Sequence, residues 1–191
     1  MLRFKSELIR LGLLAAVVAS AATARADDAA AAVAEPAAHV AGEQAPAADG
    51  PLAPLEWLMG EWTGMTDNAV VLVSTHWCEG GAFIEREFVV KREGQPDIGG
   101  TQRIGWDPVS GRIKCWTFDT HGGFGQGSWQ RDGDAWVIES DETLADGSQS
   151  STTAIVTPQG DDRFVWQIER ARVNGVSLPQ QKIEFVRAKQ D

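Results

Sequence analysis

An antiparallel all-β barrel is the fold this sequence predicts, and three observations predict it. Ten short runs of alternating apolar and polar residues fill the chain from Gly60 to Arg187. Turn-forming residues separate them, and no gap is long enough for a crossover helix, so sequence neighbours pair antiparallel. Eight Trp and seven Phe, with no Tyr, suit a pleated wall around a large aromatic interior. Closing such a meander removes its exposed edges, which favours an up-and-down barrel of about 8–10 strands over the alternative, a β-sandwich.

Residues 55–59 read as one helical turn lying across one end of the barrel. The runs that follow are 61–66, 69–78, 82–91, 99–106, 112–120, 123–130, 135–143, 148–157, 163–172 and 180–187. The breaks have mechanisms. Asp107-Pro108-Val109-Ser110-Gly111 places Pro where φ is fixed and Gly where φ is positive. Asp132-Gly133, Asp146-Gly147 and Asn174-Gly175 are hairpin dipeptides. Period-2 alternation puts Trp116 with Phe118, and Phe164 with Trp166 and Ile168, on faces expected to point inward. Arg86 shares a face with Ile84, Phe88 and Val90. An inward Arg is either half of a structural ion pair or an anchor for an anionic head group.

The chain ahead of the barrel has two parts. Residues 1–26 have the form of a secretion signal: Arg3, Lys5 and Arg10, then twelve apolar residues, then Ala24-Arg25-Ala26 as a cleavage site. Twelve residues fall short of the roughly 20 that span a bilayer. The expectation is export to the periplasm or medium, with no stable membrane insertion after cleavage. Residues 27–51 read as a disordered Ala/Pro-rich linker, and 52–188 as the single barrel domain. The net charge is −10. The leader holds four basic residues (Arg3, Lys5, Arg10, Arg25) and one acidic (Glu7), so the remainder carries three further negative charges, −13. That excludes nucleic acid as an expected partner.

Gly60-Glu61-Trp62 after a helical turn resembles the start of lipocalin and related calycin barrels. The resemblance implies that an Arg on the last strand packs on the Trp face; Arg187 is the matching residue, so Trp62 and Arg187 are assigned structural roles. The segments Gly99-Gly100-Thr101-Gln102-Arg103-Ile104-Gly105-Trp106-Asp107-Pro108, Trp116-Thr117-Phe118-Asp119 and Gly122-Gly123-Phe124-Gly125-Gln126-Gly127-Ser128-Trp129 resemble a bacterial family of lipocalin-like domains of unknown function. The match runs from about Leu55 to Arg187. In that family the domain often follows a SnoaL-like domain; here it would stand alone. The resemblance implies a fold and no activity.

No constellation of catalytic type emerges. Asp119 and His121 near a hairpin are a weak metal pair and fit a turn Asp bonding local N–H groups better. Haem held by a late-strand His, as in nitrobindins, lacks its ligand, because no His follows His121. Ser74 and His76 share a strand face, and Glu139, Asp141 and Glu142 read as a charged strand end. Cys78 and Cys115 fall on non-adjacent strands and read as free thiols. No metal, cofactor or catalytic residue is therefore assigned, and an enzyme is disfavoured. The expected function is binding of a small apolar or amphipathic ligand, with Trp116, Phe118 and Trp166 lining a cavity and Arg86 and Gln102 fixing polar atoms. The alternative is an accessory module with a packed core that works through the loop 121–127, where Phe124 is flanked by glycines.

Overall fold

The two-residue period of the sequence becomes the inside and outside of a wall. In the computed structural model, which describes residues 50–78 and 80–189, a 3₁₀ helix at Ala53–Leu58 precedes eleven strands. These are β1 Gly60–Met65, β2 Val70–Trp77, β3 Phe83–Lys91, β4 Ile98–Asp107, β5 Arg112–Asp119 and β6 Phe124–Asp132, followed by β7 Ala135–Thr143, β8 Gln149–Pro158, β9 Arg163–Val173, β10 Val176–Ser177 and β11 Gln181–Arg187. The expected leader, and all of the linker before Gly50, lie outside the described residues.

Each strand from β1 to β9 pairs antiparallel with the next, and β11 lies between β9 and β1. The wall is a closed ten-stranded up-and-down barrel. β10, which the alternation did not reveal, is a two-residue extension paired with β9 alone. The ten predicted runs match the ten barrel strands, because the turn residues that bound them act locally.

The helix plugs one end. Pro54 opens it, and Leu52, Leu55 and Leu58 are all buried in the core. Beneath it Phe164 stacks on Phe185 at 4.6 Å and meets Trp62 and Trp57 edge-on at 4.8 and 5.5 Å. Arg187 locks this end. Its guanidinium lies 4.2 Å over the Trp62 ring. It donates to the carbonyls of Met59, Trp57 and Asp161, while the Trp62 indole donates to Leu58 O at 2.8 Å. Gly60 sits at φ +101°, and a Cβ there would come within 2.7 Å of Arg187 Nη1. Both the backbone angle and the close approach require glycine at the head of Gly-x-Trp.

Alternation slips once. On β8 and β9, Thr153 faces Arg170 and the next residue, Ala154, faces Ile168, so Glu169 is an extra residue. Before this bulge Phe164, Trp166 and Ile168 point inward. After it Ala171 is buried, and Arg170 and Arg172 turn to the outside.

The expected inward face of β5 is reversed. Ile113, Cys115 and Thr117 are buried, whereas Trp116 is 36% exposed and Phe118 56%. Register explains this. The turn after Asp107 pairs Cys115 with Ile104 and Thr117 with Gln102, and those partners face inward. On the inner side the ring of Trp129 lies 6.3 Å from that of Trp136 and 6.2 Å from that of Trp166. Trp116 and Phe118 are therefore not cavity-lining residues.

Candidate functional site

A barrel core with a charged residue in it calls for an accounting of every buried polar group. Six polar side chains are buried among the described residues: Thr75, Arg86, Gln102, Thr117, Glu142 and Ser150. All six fall in one row of direct cross-strand partners. Thr75 faces Arg86, Arg86 faces Gln102, Gln102 faces Thr117, Thr117 faces Gly125, Gly125 faces Glu142, and Glu142 faces Ser150. Barrel strands tilt, so such a row winds along the wall. It starts at Thr75, near the end of β2 that the helix covers, and finishes at Ser150, at the opposite end where β8 begins. The inside of the barrel carries one polar row from end to end, interrupted at Gly125.

Arg86 is the one cation of this stripe. Its residue is 6% exposed, and none of the ion pairs among the described residues includes it. One guanidinium N–H, on Nη1, donates to Gln102 Oε1 at 3.0 Å, and Gln102 Nε2 passes the bond on to Thr117 Oγ1 at 3.1 Å. The guanidinium carbon lies 5.2 Å from the Trp166 ring centre and 5.9 Å from that of Trp129. Burial draws its pKa down to about 10, opposed by the nearby Cys115 sulfur, so Arg86 is a cation at neutral pH. The ion-pair reading of Arg86 is overturned: its companions are a neutral amide and two indole faces.

The interior has unspent donors. Arg86 Nε, Trp166 Nε1 and the hydroxyls of Thr75, Ser150 and Thr152 are buried and make no hydrogen bond within the described protein. Arg86 Nε–H and the Trp166 indole N–H can only donate. Trp129 Nε1 faces the Cys115 thiol without a full hydrogen bond. Burial pushes Cys115 up to about 11, so it is a neutral thiol under ordinary conditions and not a nucleophile.

Arg86, Gln102 and Trp166 thus come together as a group, while Trp116 and Phe118 are separated from it by the thickness of the wall. Thr75, Thr117, Glu142 and Ser150 join the group although sequence reasoning missed them. The signal was present in the turns: once each hairpin's register is set, the inward polar positions align. Elsewhere the polar pairs do local work. Asp119 Oδ1 accepts from the backbone N–H groups of His121 and Gly123 at 2.7 and 2.9 Å, which shapes the turn. Ser74 donates to Glu61 at 2.6 Å on the outer face. Among the described residues no three His, Cys, Asp or Glu side chains are grouped as a metal site requires, and both Cys78 and Cys115 are free thiols. No helix among them is long and apolar enough to cross a membrane. No family model matches the chain, and no curated protein has a sequence similar to it.

Proposed function

We propose that the barrel, exported by the leader that the sequence implies, binds a small amphipathic molecule with an acidic head group. The head meets Arg86, Gln102 and the free hydroxyls of the stripe, and the apolar part rests on Trp166 and Trp129. The observation that carries this reading is the single polar stripe in which Arg86 is the one cation, outside every ion pair among the described residues, with the stripe's one carboxylate, Glu142, four strands further along the row. A buried guanidinium costs several kcal/mol of solvation, and one neutral hydrogen bond with two aromatic faces offsets only part of that. An anionic ligand supplies the missing charge and takes the unspent donors.

Paired probes test the head group. Decanoate and decanol share a chain and differ in charge. Isothermal titration of the purified full chain is expected to give decanoate a Kd at least about tenfold below that of decanol. The double variant Arg86→Met/Gln102→Leu should erase that difference. It should also unfold at the same or higher denaturant concentration, because a well-packed apolar pair replaces a desolvated charge. Equal binding of both probes, no binding of either, or a variant weakened by more than about 2 kcal/mol would assign the stripe to structure instead.

A second reading has its own observation. Phe118 and Phe124 are direct cross-strand partners on the outer face, and each is 56% exposed. Such a pair supports an accessory role through a docking face.

A further inference from the structure

We infer that the outer face of β5–β9 carries a second binding site, for a saccharide. A groove of about 420 Å³ runs across these strands, within the range of small-molecule sites, roughly 300–1,000 Å³. Two parallel rows of cross-strand partners build it. One runs Lys114, Ser128, Glu139, Thr153, Arg170, and the other Gln126, Asp141, Ser151, Arg172, with Trp116 next in register beyond its near end. In each row short hydroxyl side chains lie between long charged ones, which makes a trough with charged walls.

Three features select the ligand. First, the charges are not spent on each other. No ion pair among the described residues involves Lys114, Glu139, Asp141, Arg170 or Arg172; Arg170 makes a long 3.5 Å contact to Thr153 Oγ1. Second, the bulge at Glu169 puts the two arginines there. Without it both would point into the barrel; with it they complete the far wall, while Glu169 itself is held by Gln167 at 2.5 Å and Gln180 at 3.1 Å. Third, Trp116, 36% exposed and the cross-strand partner of Gln126, carries an indole next to the groove, just outside its lining and reaching over Gly105 of β4.

A ligand for this groove must both donate and accept hydrogen bonds along its length and offer one flat, C–H-lined face to an indole. Carboxylates accept from two neighbouring hydroxyls, and guanidinium forks donate to ring and hydroxyl oxygens. The polarised C–H bonds of a pyranose meet the electron-rich face of Trp116. An apolar molecule leaves five charges unmatched, and a nucleic acid meets two central carboxylates on a chain of net charge −10. A short saccharide satisfies both the polar rows and the aromatic rim.

The test uses the full chain with cellobiose, N,N′-diacetylchitobiose and digalacturonate at millimolar concentrations, read by saturation-transfer NMR and by titration. At least one is expected to bind, with Kd raised about tenfold or more by Trp116→Ala and by Asp141→Asn. Arg86→Met should leave that binding unchanged, which separates this site from the interior. Preference for digalacturonate that weakens steeply with salt assigns the recognition to Lys114, Arg170 and Arg172; salt-independent binding of a neutral disaccharide assigns it to Trp116 and the carboxylates. Failure of all three probes, or binding that survives both groove variants, overturns the inference.

Discussion

Arg86 and Cys115 show what enclosure does to a single side chain. Both sit inside the barrel, each within reach of the other's charge, and burial moves their pKa values toward the neutral form of each. For Cys115 the native value is about 11 against an ordinary 9.0. The unfolded thiol begins to ionise near pH 9 while the folded one still holds its proton. The stability that the neutral thiol contributes is therefore complete below pH 9 and is lost as pH rises toward 11. By pH 10 the loss is about 1.4 kcal/mol. Urea unfolding at about pH 8.5 and 10 should show this extra loss in the wild type and not in Cys115→Ala, whose cavity lowers both values alike. Equal pH slopes in the two proteins would mean that the thiol is hydrated in solution. Arg86 was legible in the sequence as an inward charge, since its strand alternates cleanly. What surrounds it was not, because its companions Thr75, Gln102 and Thr117 come from three other strands.

Among the elements, β5 and β9 depart most from simple alternation. On β5 the aromatic side chains alternate with Ile113, Cys115 and Thr117, so either face satisfies a period of two, and only pairing with β4 chooses between them. Aromatic character points inward on average, but here the register with β4 puts Ile113, Cys115 and Thr117 inside instead. On β9 the run carries a hidden phase change at Glu169, and no Gly or Pro marks it. That single extra residue lets Arg170 and Arg172 point outward, where a regular ladder through Glu169 would turn them in. Deleting Glu169 removes the extra residue, so strict alternation after Ile168 keeps Arg170 and Arg172 outside and Ala171 inside. The variant is expected to keep a cooperative urea transition, within about 2 kcal/mol of the wild type. Loss of that transition would show that the bulge itself is needed to fit β9 against β8.

At the scale of the whole molecule, closure is the one long-range event. Every other barrel pairing joins strands adjacent in the chain, or β9 with β11 across a short excursion, whereas β1 with β11 joins the two ends of the domain. Its loop-closure entropy must be overcome in a single step, which places it late in folding. Arg187, with its stacking on Trp62 and its bonds to the helix carbonyls, acts only once that step is made. Arg187→Ala should therefore speed unfolding and leave refolding nearly unchanged in a chevron experiment; a refolding rate that falls in proportion to stability would move closure into the nucleus. The sequence by itself determined the class of fold, the number of barrel strands and the positions of their turns, because alternation and turn chemistry act between residues close in the chain. It also marked Arg86, Gln102 and Trp166 as inward residues of note. Only the tertiary structure decided that six buried polar groups lie in one stripe, that Trp116 and Phe118 face outward, and that a mixed-charge groove crosses the outer wall. Each of these depends on the registers of several strand pairs added together, and a shift of one residue in any of them would exchange inside for outside.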